Sequence, residues 1–207
     1  MAPLSDRVAI DASYTRTAIA LHWLLAVCLV GQILLGWYLE DVPRGTPARS
    51  WYVNLHKSIG VSLGLLIVFR LGWRLSHTPP SLPTRLPTWQ RIAANWSHRS
   101  LYACMLIMPI SGYIASNFSE YGVRYFNVIL MPPWGSNSDA IYAFFNGLHV
   151  ATSFVFVALI AVHVMGALRH VVLRDGIFRR MWPRVRTRSG GGAGSASLNF
   201  EASAHQR

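Results

Sequence analysis

The stretch AFFNGLHVATSFVFVALIAVHVMGAL, Ala143–Leu168, decides how the chain folds, because its only ionisable side chains are two histidines, His149 and His163. At about 1.5 Å per residue, a helix of this length crosses a hydrocarbon layer of about 30 Å. The histidines are fourteen residues apart, almost four turns, so both imidazoles share one face. They lie about 21 Å apart along the axis, one near each leaflet. Ionisable groups at membrane depth are costly and usually functional. Two of them on one face, at two depths, imply two metal centres across a membrane.

Three more windows avoid charge: Ala18–Leu39, Leu55–Trp73 and Leu101–Phe118. The second holds Lys57 near its start and Arg70 near its end, where long side chains snorkel. The third is the shortest and contains Pro109. Only 13% of the chain is charged and 52% is hydrophobic, against about 25% charged for a soluble domain, which also points to a membrane. The expected fold is all-α, a four-helix transmembrane bundle over residues 17–183. A segment of residues 1–16 precedes it, and a basic, then Gly/Ser/Ala-rich tail of residues 184–207 follows, expected to be disordered. The first apolar run is too long, and lacks the small-residue cleavage site, for a cleavable signal.

A net charge of +11 in a soluble protein would raise nucleic acid as a partner, but the placement of the bases argues for a lipid bilayer and against nucleic acid. Arg7, Arg16, Arg70, Arg74, Arg85, Arg91, Arg99 and the eight arginines from Arg169 onward fall on one side of the spans. Arg44, Arg49, Arg124 and Lys57 fall on the other, fifteen against four. That bias puts both termini in the cytoplasm. Trp37, Tyr38, Trp51 and Tyr52 form an aromatic belt at the outer boundary, with Trp73 at the inner one. Pro43, Gly45 and Pro47 mark an outer loop, and Ser50 is a candidate cap for a second helix starting near Trp51. The inner connection reads as a proline-rich loop followed by a short surface helix over Thr88–Ser97. Pro132, Pro133 and Gly135 break regular structure in the outer connection after Phe118.

Depth pairs the histidines. His22 lies six residues from Arg16 and His163 six from Arg169; His56 lies six from Ser50 and His149 six from Ala143. The chain so supplies an inner pair, His22 with His163, and an outer pair, His56 with His149. Four neutral imidazoles suit the axial positions of two haem irons. There is no C-x-x-C-H, and Cys28 and Cys104 stand alone in separate spans, so any haem is b-type. No three of these histidines share one depth as tetrahedral zinc requires. His77, His98 and His205 read as ordinary polar residues of loop or tail. His170, two turns after His163, is either a contact to a haem propionate or substrate, or an interfacial histidine. Arg70, fourteen residues after His56, and Lys57 are candidates for propionate pairing or for snorkelling. Gly60 and Gly64 permit close approach of a helix or of a porphyrin face.

The segments Leu21-His22-Trp23, Leu55-His56-Lys57-Ser58-Ile59-Gly60, Arg70-Leu71-Gly72-Trp73-Arg74 with Pro79-Pro80, Ile110-Ser111-Gly112-Tyr113, Leu148-His149, His163 with Arg169-His170, and Arg174-Asp175-Gly176 to Arg180-Met181 resemble the bacterial cytochrome b561 family. The resemblance covers residues 13 to about 183 and implies a four-helix cytochrome with two haem b that exchanges electrons with quinone. Its ligand pattern falls on His22, His56, His149 and His163. Arg169 stands where relatives often have a second histidine beside His170. Two bis-histidine irons leave no open position, so outer-sphere electron transfer is the expected chemistry. The leading expectation is a transmembrane electron-transfer cytochrome linked to the quinone pool, possessing or lacking a periplasmic redox donor. Two others stand beside it: superoxide oxidation at the outer face with ubiquinone as acceptor, drawn by Lys57, Arg44, Arg49 and Arg124, and a haem-free proton- or ion-coupled transporter.

Overall fold

A computed structural model describes residues 14–81 and 86–183. Four long helices carry the chain: α1 (Arg16–Asp41), α2 (Pro47–Ser76), α3 (Thr88–Asn117) and α4 (Asp139–Val172). A two-stranded antiparallel ribbon, β1 (Val123–Tyr125) and β2 (Ile129–Met131), lies between α3 and α4. One 3-10 turn, Phe178–Met181, follows α4. The tail from residue 184 and His205 within it lie outside the described residues, as do most of the N-terminal segment and residues 82–85.

Local chemistry sets the helix starts. Thr15 accepts the Ala18 N–H at the head of α1, and Ser138 accepts that of Ile141 at the head of α4, where Asp139 complements the helix dipole. The sequence expectation for α2, a Ser50 cap and a start near Trp51, is corrected by one turn. Thr46 accepts the Arg49 N–H and Pro47 takes the first helical position, where its missing N–H costs nothing. The Arg49 guanidinium reaches back to the carbonyls of Leu39 and Val42 and satisfies the end of α1.

By length and composition, α1, α2 and α4 are able to cross a membrane. The helix α3 is more polar. Its expected surface helix and apolar span are one 30-residue element, because nothing between Ser97 and Leu101 breaks a helix. Buried Ser111, Ser116 and Asn117 donate to carbonyls four residues back in α3, which satisfies them within an apolar setting. The Pro109 ring seats against Gly64 of α2, where a Cβ would lie 3.1 Å from the Pro109 Cβ. Gly60 faces Gln32 of α1 in the same way. Both glycines therefore serve helix approach.

Leu25, Leu63, Ile67, Cys104, Met105 and Phe156 form a core to which all four helices contribute, with Cys28 packed against it. Elsewhere the helices turn apolar side chains outward, among them Val27, Leu65 and Phe154. That much exposed apolar surface would be a liability in water and is the ordinary outer face of a bundle in lipid.

The ribbon replaces the irregular loop expected after Phe118. Phe126 and Asn127 both take positive φ at its turn, a conformation Asn tolerates well, and the strands pair from Val123 with Met131 to Tyr125 with Ile129. It folds back along α2. Ser58 accepts the Phe126 N–H (2.7 Å), Asn54 accepts that of Arg124, Asn127 donates to the Trp51 carbonyl, and the Ser62 and Tyr125 hydroxyls meet at 2.8 Å. Lys57 donates to the Gly122 carbonyl at the ribbon base.

At the other end, the 3-10 turn is tied to the bundle by Trp23 donating to the Met181 carbonyl. Arg180 there is buried; its guanidinium donates to the Ser81 carbonyl and lies over the Tyr14 ring. Burial lowers the Arg180 pKa, and the charge of Tyr14 works the other way.

Candidate functional site

At one end of the bundle His56 of α2 faces His149 of α4, with ring centres 6.3 Å apart. At the other, His22 of α1 faces His163 of α4, again at 6.3 Å. Phe156 falls seven residues from each α4 histidine, and Leu63 seven from both His56 and Arg70, so the apolar core separates the two levels. The structure thus brings together the same partners that depth pairs in the sequence.

With about 2 Å for each imidazole–iron bond and about 1 Å from bonding nitrogen to ring centre, a linear bis-imidazole axis needs about 6 Å between centres. Edge-to-face ring packing spans the same distance, so the surroundings discriminate. Close backbone packing runs between consecutive helices, α1 with α2, α2 with α3 and α3 with α4. The helices that carry partner histidines, α1 with α4 and α2 with α4, approach far less closely, and the rings meet across that gap.

Glycines line the His56/His149 level. A Cβ on Gly36 would lie 3.2 Å from His56 Cε1, and one on Gly112 would lie 3.0 Å from His149 Nδ1. His149 Nδ1 is 2.8 Å from the Met108 carbonyl, which only accepts, so the ring carries its proton there and Nε2 is left free to bind a metal. Among the described residues, His56 Nδ1 is buried without a hydrogen-bond partner, as is Gln32 Oε1, while the Gln32 amide nitrogen donates to the His56 carbonyl. This donor set fits two axial imidazoles. Gln32 is a site residue that sequence inspection passes over; its signal is a lone amide in an otherwise apolar span, one turn from Gly36.

The His22/His163 level differs. Arg70 Nη2 lies 3.1 Å from His22 Nδ1, and because a guanidinium has no acceptor, that nitrogen accepts and the His22 proton sits on Nε2. Ligation through Nε2 would move that proton to Nδ1, which would then donate instead of accept and would release Arg70 toward another acceptor, such as a carboxylate. Arg70 and Arg74 both lie 5.6 Å from the Tyr102 ring centre. His98, assigned by the sequence to a loop, is on α3 with its ring centre 5.4 Å from that of His163. Its position is legible only once Thr88–Ser97 is joined to the span that follows.

Lys57 is engaged by the ribbon, and Arg49 by the end of α1, as given above. His170 pairs with Asp175 at 2.6 Å, and Asp175 also accepts the Ile177 N–H, so His170 is tied into the turn after α4.

Membrane-length helices gathered around two half-buried imidazole pairs define a helical membrane protein with two candidate redox levels. Residues 13–184 match the family described as prokaryotic cytochrome b561, and the chain belongs to that family. It is similar to cytochrome b561 homolog 2 of Escherichia coli (strain K12), 31% identical over 167 residues that cover 78% of this chain and 87% of that protein. It is also similar to cytochrome b561 homolog 1 of the same organism, 27% identical over 176 residues that cover 83% of this chain and 97% of the relative. Family membership implies b-type haem.

Proposed function

We propose that this chain is a di-haem b cytochrome of the bacterial inner membrane that moves electrons across the bilayer, with ubiquinone as its membrane reactant. What supports this most directly is the repetition of one imidazole geometry, 6.3 Å between ring centres, on either side of a shared apolar core. His22 and His163 would hold one haem iron, and His56 and His149 the other. When bound, the haems would supply one-electron centres held by these four imidazoles, and outer-sphere electron transfer is the chemistry they would carry.

The chain's own residues account for the rest. The Met108 carbonyl holds the His149 proton on Nδ1. Gly36 and Gly112 leave the imidazoles uncrowded. Leu25, Leu63, Ile67, Met105 and Phe156 exclude water between the two levels. His98 adds an imidazole beside His163 that can pass a proton, and a quinone taking up two electrons must also take up two protons. The positive-inside bias puts the termini and the His22/His163 level at the cytoplasm, leaving the His56/His149 level for a periplasmic donor.

The test is a haem count by pyridine haemochrome, with stopped-flow mixing of the oxidised protein and ubiquinol. Two haem b per chain and reduction of both on mixing are expected. One haem or none would remove the two-centre architecture, and two haems that ubiquinol fails to reduce would remove quinone.

A further inference from the structure

At the His22/His163 end, the head of α1, the last turns of α2, Tyr102 of α3 and Met181 of the 3-10 turn enclose a cavity of about 200 Å³. Among the described residues, His22, His98 and His163 do not line it, and neither does any residue of α4. The cavity is therefore separate from the space between the imidazoles. Arg70 is the wall between the two, since it lines the cavity while its Nη2 rests on His22. Ala18, which also lines the cavity, stands one turn nearer the end of α1 than His22 does.

The charge around the cavity has one sign. Arg70 and Arg74, one turn apart on α2, both line it, and no acidic side chain among the described residues does. Tyr102 gathers them, each guanidinium carbon lying 5.6 Å from its ring centre. Among the described residues Arg70 meets His22, and Arg74 has no carboxylate partner. Like charges four residues apart on a helix repel. An anion between them turns that repulsion into charge-assisted hydrogen bonds, and a guanidinium fork matches the paired oxygens of a phosphate. A neutral ligand would leave the repulsion as it is.

Depth and size narrow the anion further. Trp73 lines the cavity, donates to Thr15 Oγ1 at 3.1 Å and stacks on His77 with ring centres 4.0 Å apart. Tryptophan gathers at the headgroup level of a bilayer, and Pro79 and Pro80, which close another side, carry the chain away from α2. A volume of 200 Å³ falls short of the roughly 300–1,000 Å³ that encloses a whole small molecule. It suits a headgroup whose acyl chains stay outside. Phe69 and Leu75, which adjoin the two arginines in the chain, are exposed and offer those acyl chains apolar surface.

We propose that this cavity binds the phosphate ester of an anionic phospholipid from the leaflet at the His22/His163 end, with Arg74 as its principal cation and Arg70 between the lipid and His22.

Native mass spectrometry tests this on the haem-loaded full chain, released from nanodiscs with equal amounts of phosphatidylglycerol and phosphatidylcholine of the same acyl chains. One retained phosphatidylglycerol per chain is expected, preferred by about fivefold or more, the factor that one cation near a membrane surface supplies. Arg74→Gln should abolish most of that preference. Arg99→Gln, which removes the same charge from an exposed position outside the cavity, should keep it. Equal retention of both lipids by the unsubstituted protein would overturn the proposal, and equal losses in the two variants would reduce it to diffuse surface charge. Lipid held only by haem-free protein would mean that a haem propionate fills the cavity, and displacement by added ubiquinone would assign it to quinone; either outcome sinks the proposal. Excess inorganic phosphate at constant ionic strength should leave the lipid bound, and its release would give the site to a soluble anion instead. A haem count checks that Arg74→Gln folds. Arg74→Lys, which keeps the charge and loses the fork, should show an intermediate preference.

Discussion

The two imidazole pairs share a ring separation of 6.3 Å and differ in nearly everything around it. At the His56/His149 level the groups set against the rings are neutral, glycine, a carbonyl and the Gln32 amide, and the cation Lys57, next to His56 in the chain, is turned to the Gly122 carbonyl. At the His22/His163 level they are cationic or titratable: Arg70, Arg74, His98 and Tyr102. Geometry sets which metal chemistry is possible, and the local field sets how easily a centre accepts an electron. Two centres of the same ligand type in one chain can so acquire different potentials. Fixed positive charge stabilises the reduced form, so the His22/His163 level is expected to be the more oxidising.

The largest effect should come from breaking one level at a time. His149→Ala is expected to lower the haem count from two to one, matched spectrally by His56→Ala, while His163→Ala removes the other haem and is matched by His22→Ala. Difference spectra with a haemochrome assay check this; His22→Ala matching His149→Ala would undo the pairing.

Next in size is crowding. A Cβ on Gly112 would approach His149 Nδ1 to 3.0 Å, so Gly112→Val should lose most of the haem of the His56/His149 level and spare the other. Among the described residues nothing lies within 4 Å of a Cβ on Gly147, and Gly147→Ala should leave both haems in place, as read by the same assay.

Removing charge sharpens the contrast without removing a ligand. Arg70→Gln should lower the midpoint potential of the His22/His163 centre by on the order of 60 mV, tenfold in the one-electron equilibrium, and leave its partner unmoved. Redox titration followed in the visible region measures it. Equal shifts at both centres would mean that the local field is not what separates them.

The smallest expected change is at Gln32. Gln32→Leu removes the donor to the His56 carbonyl together with a buried oxygen that has no partner among the described residues, so fold and haem count should persist. The His56/His149 centre alone should shift, by tens of millivolts on the same scale. A shift confined to the other centre would exclude Gln32 as a positioning residue.

Much of this arrangement is legible in the chain before folding. Charge-poor windows fix the number of helices because burying an ionised side chain in hydrocarbon is so costly. The equal offsets of the histidines from the ends of their windows locate partners because helix rise is constant. The start of α2 is misplaced by one turn because Ser50 and Thr46 are both good caps, and only the adjoining Pro47 separates them. His98 is misread because Thr88–Ser97 is amphipathic enough to pass for a separate surface helix, and only packing among its neighbours keeps the chain helical into the span.

Sequence by itself therefore determined what depends on one-dimensional spacing: helical spans, the depth of each histidine and the two levels at which they meet. Tertiary structure alone decided what depends on which side chains face each other across helices. It set Gly36 and Gly112 against imidazoles, Arg70 on His22, His98 beside His163, and the 123–131 ribbon on the Asn54-Ser58-Ser62 stripe. The physical reason is that rise along a helix is fixed by its backbone hydrogen bonds. Rotation and pairing between helices are fixed by side-chain contacts between residues as far apart in the chain as His22 and His163, and no local pattern encodes them.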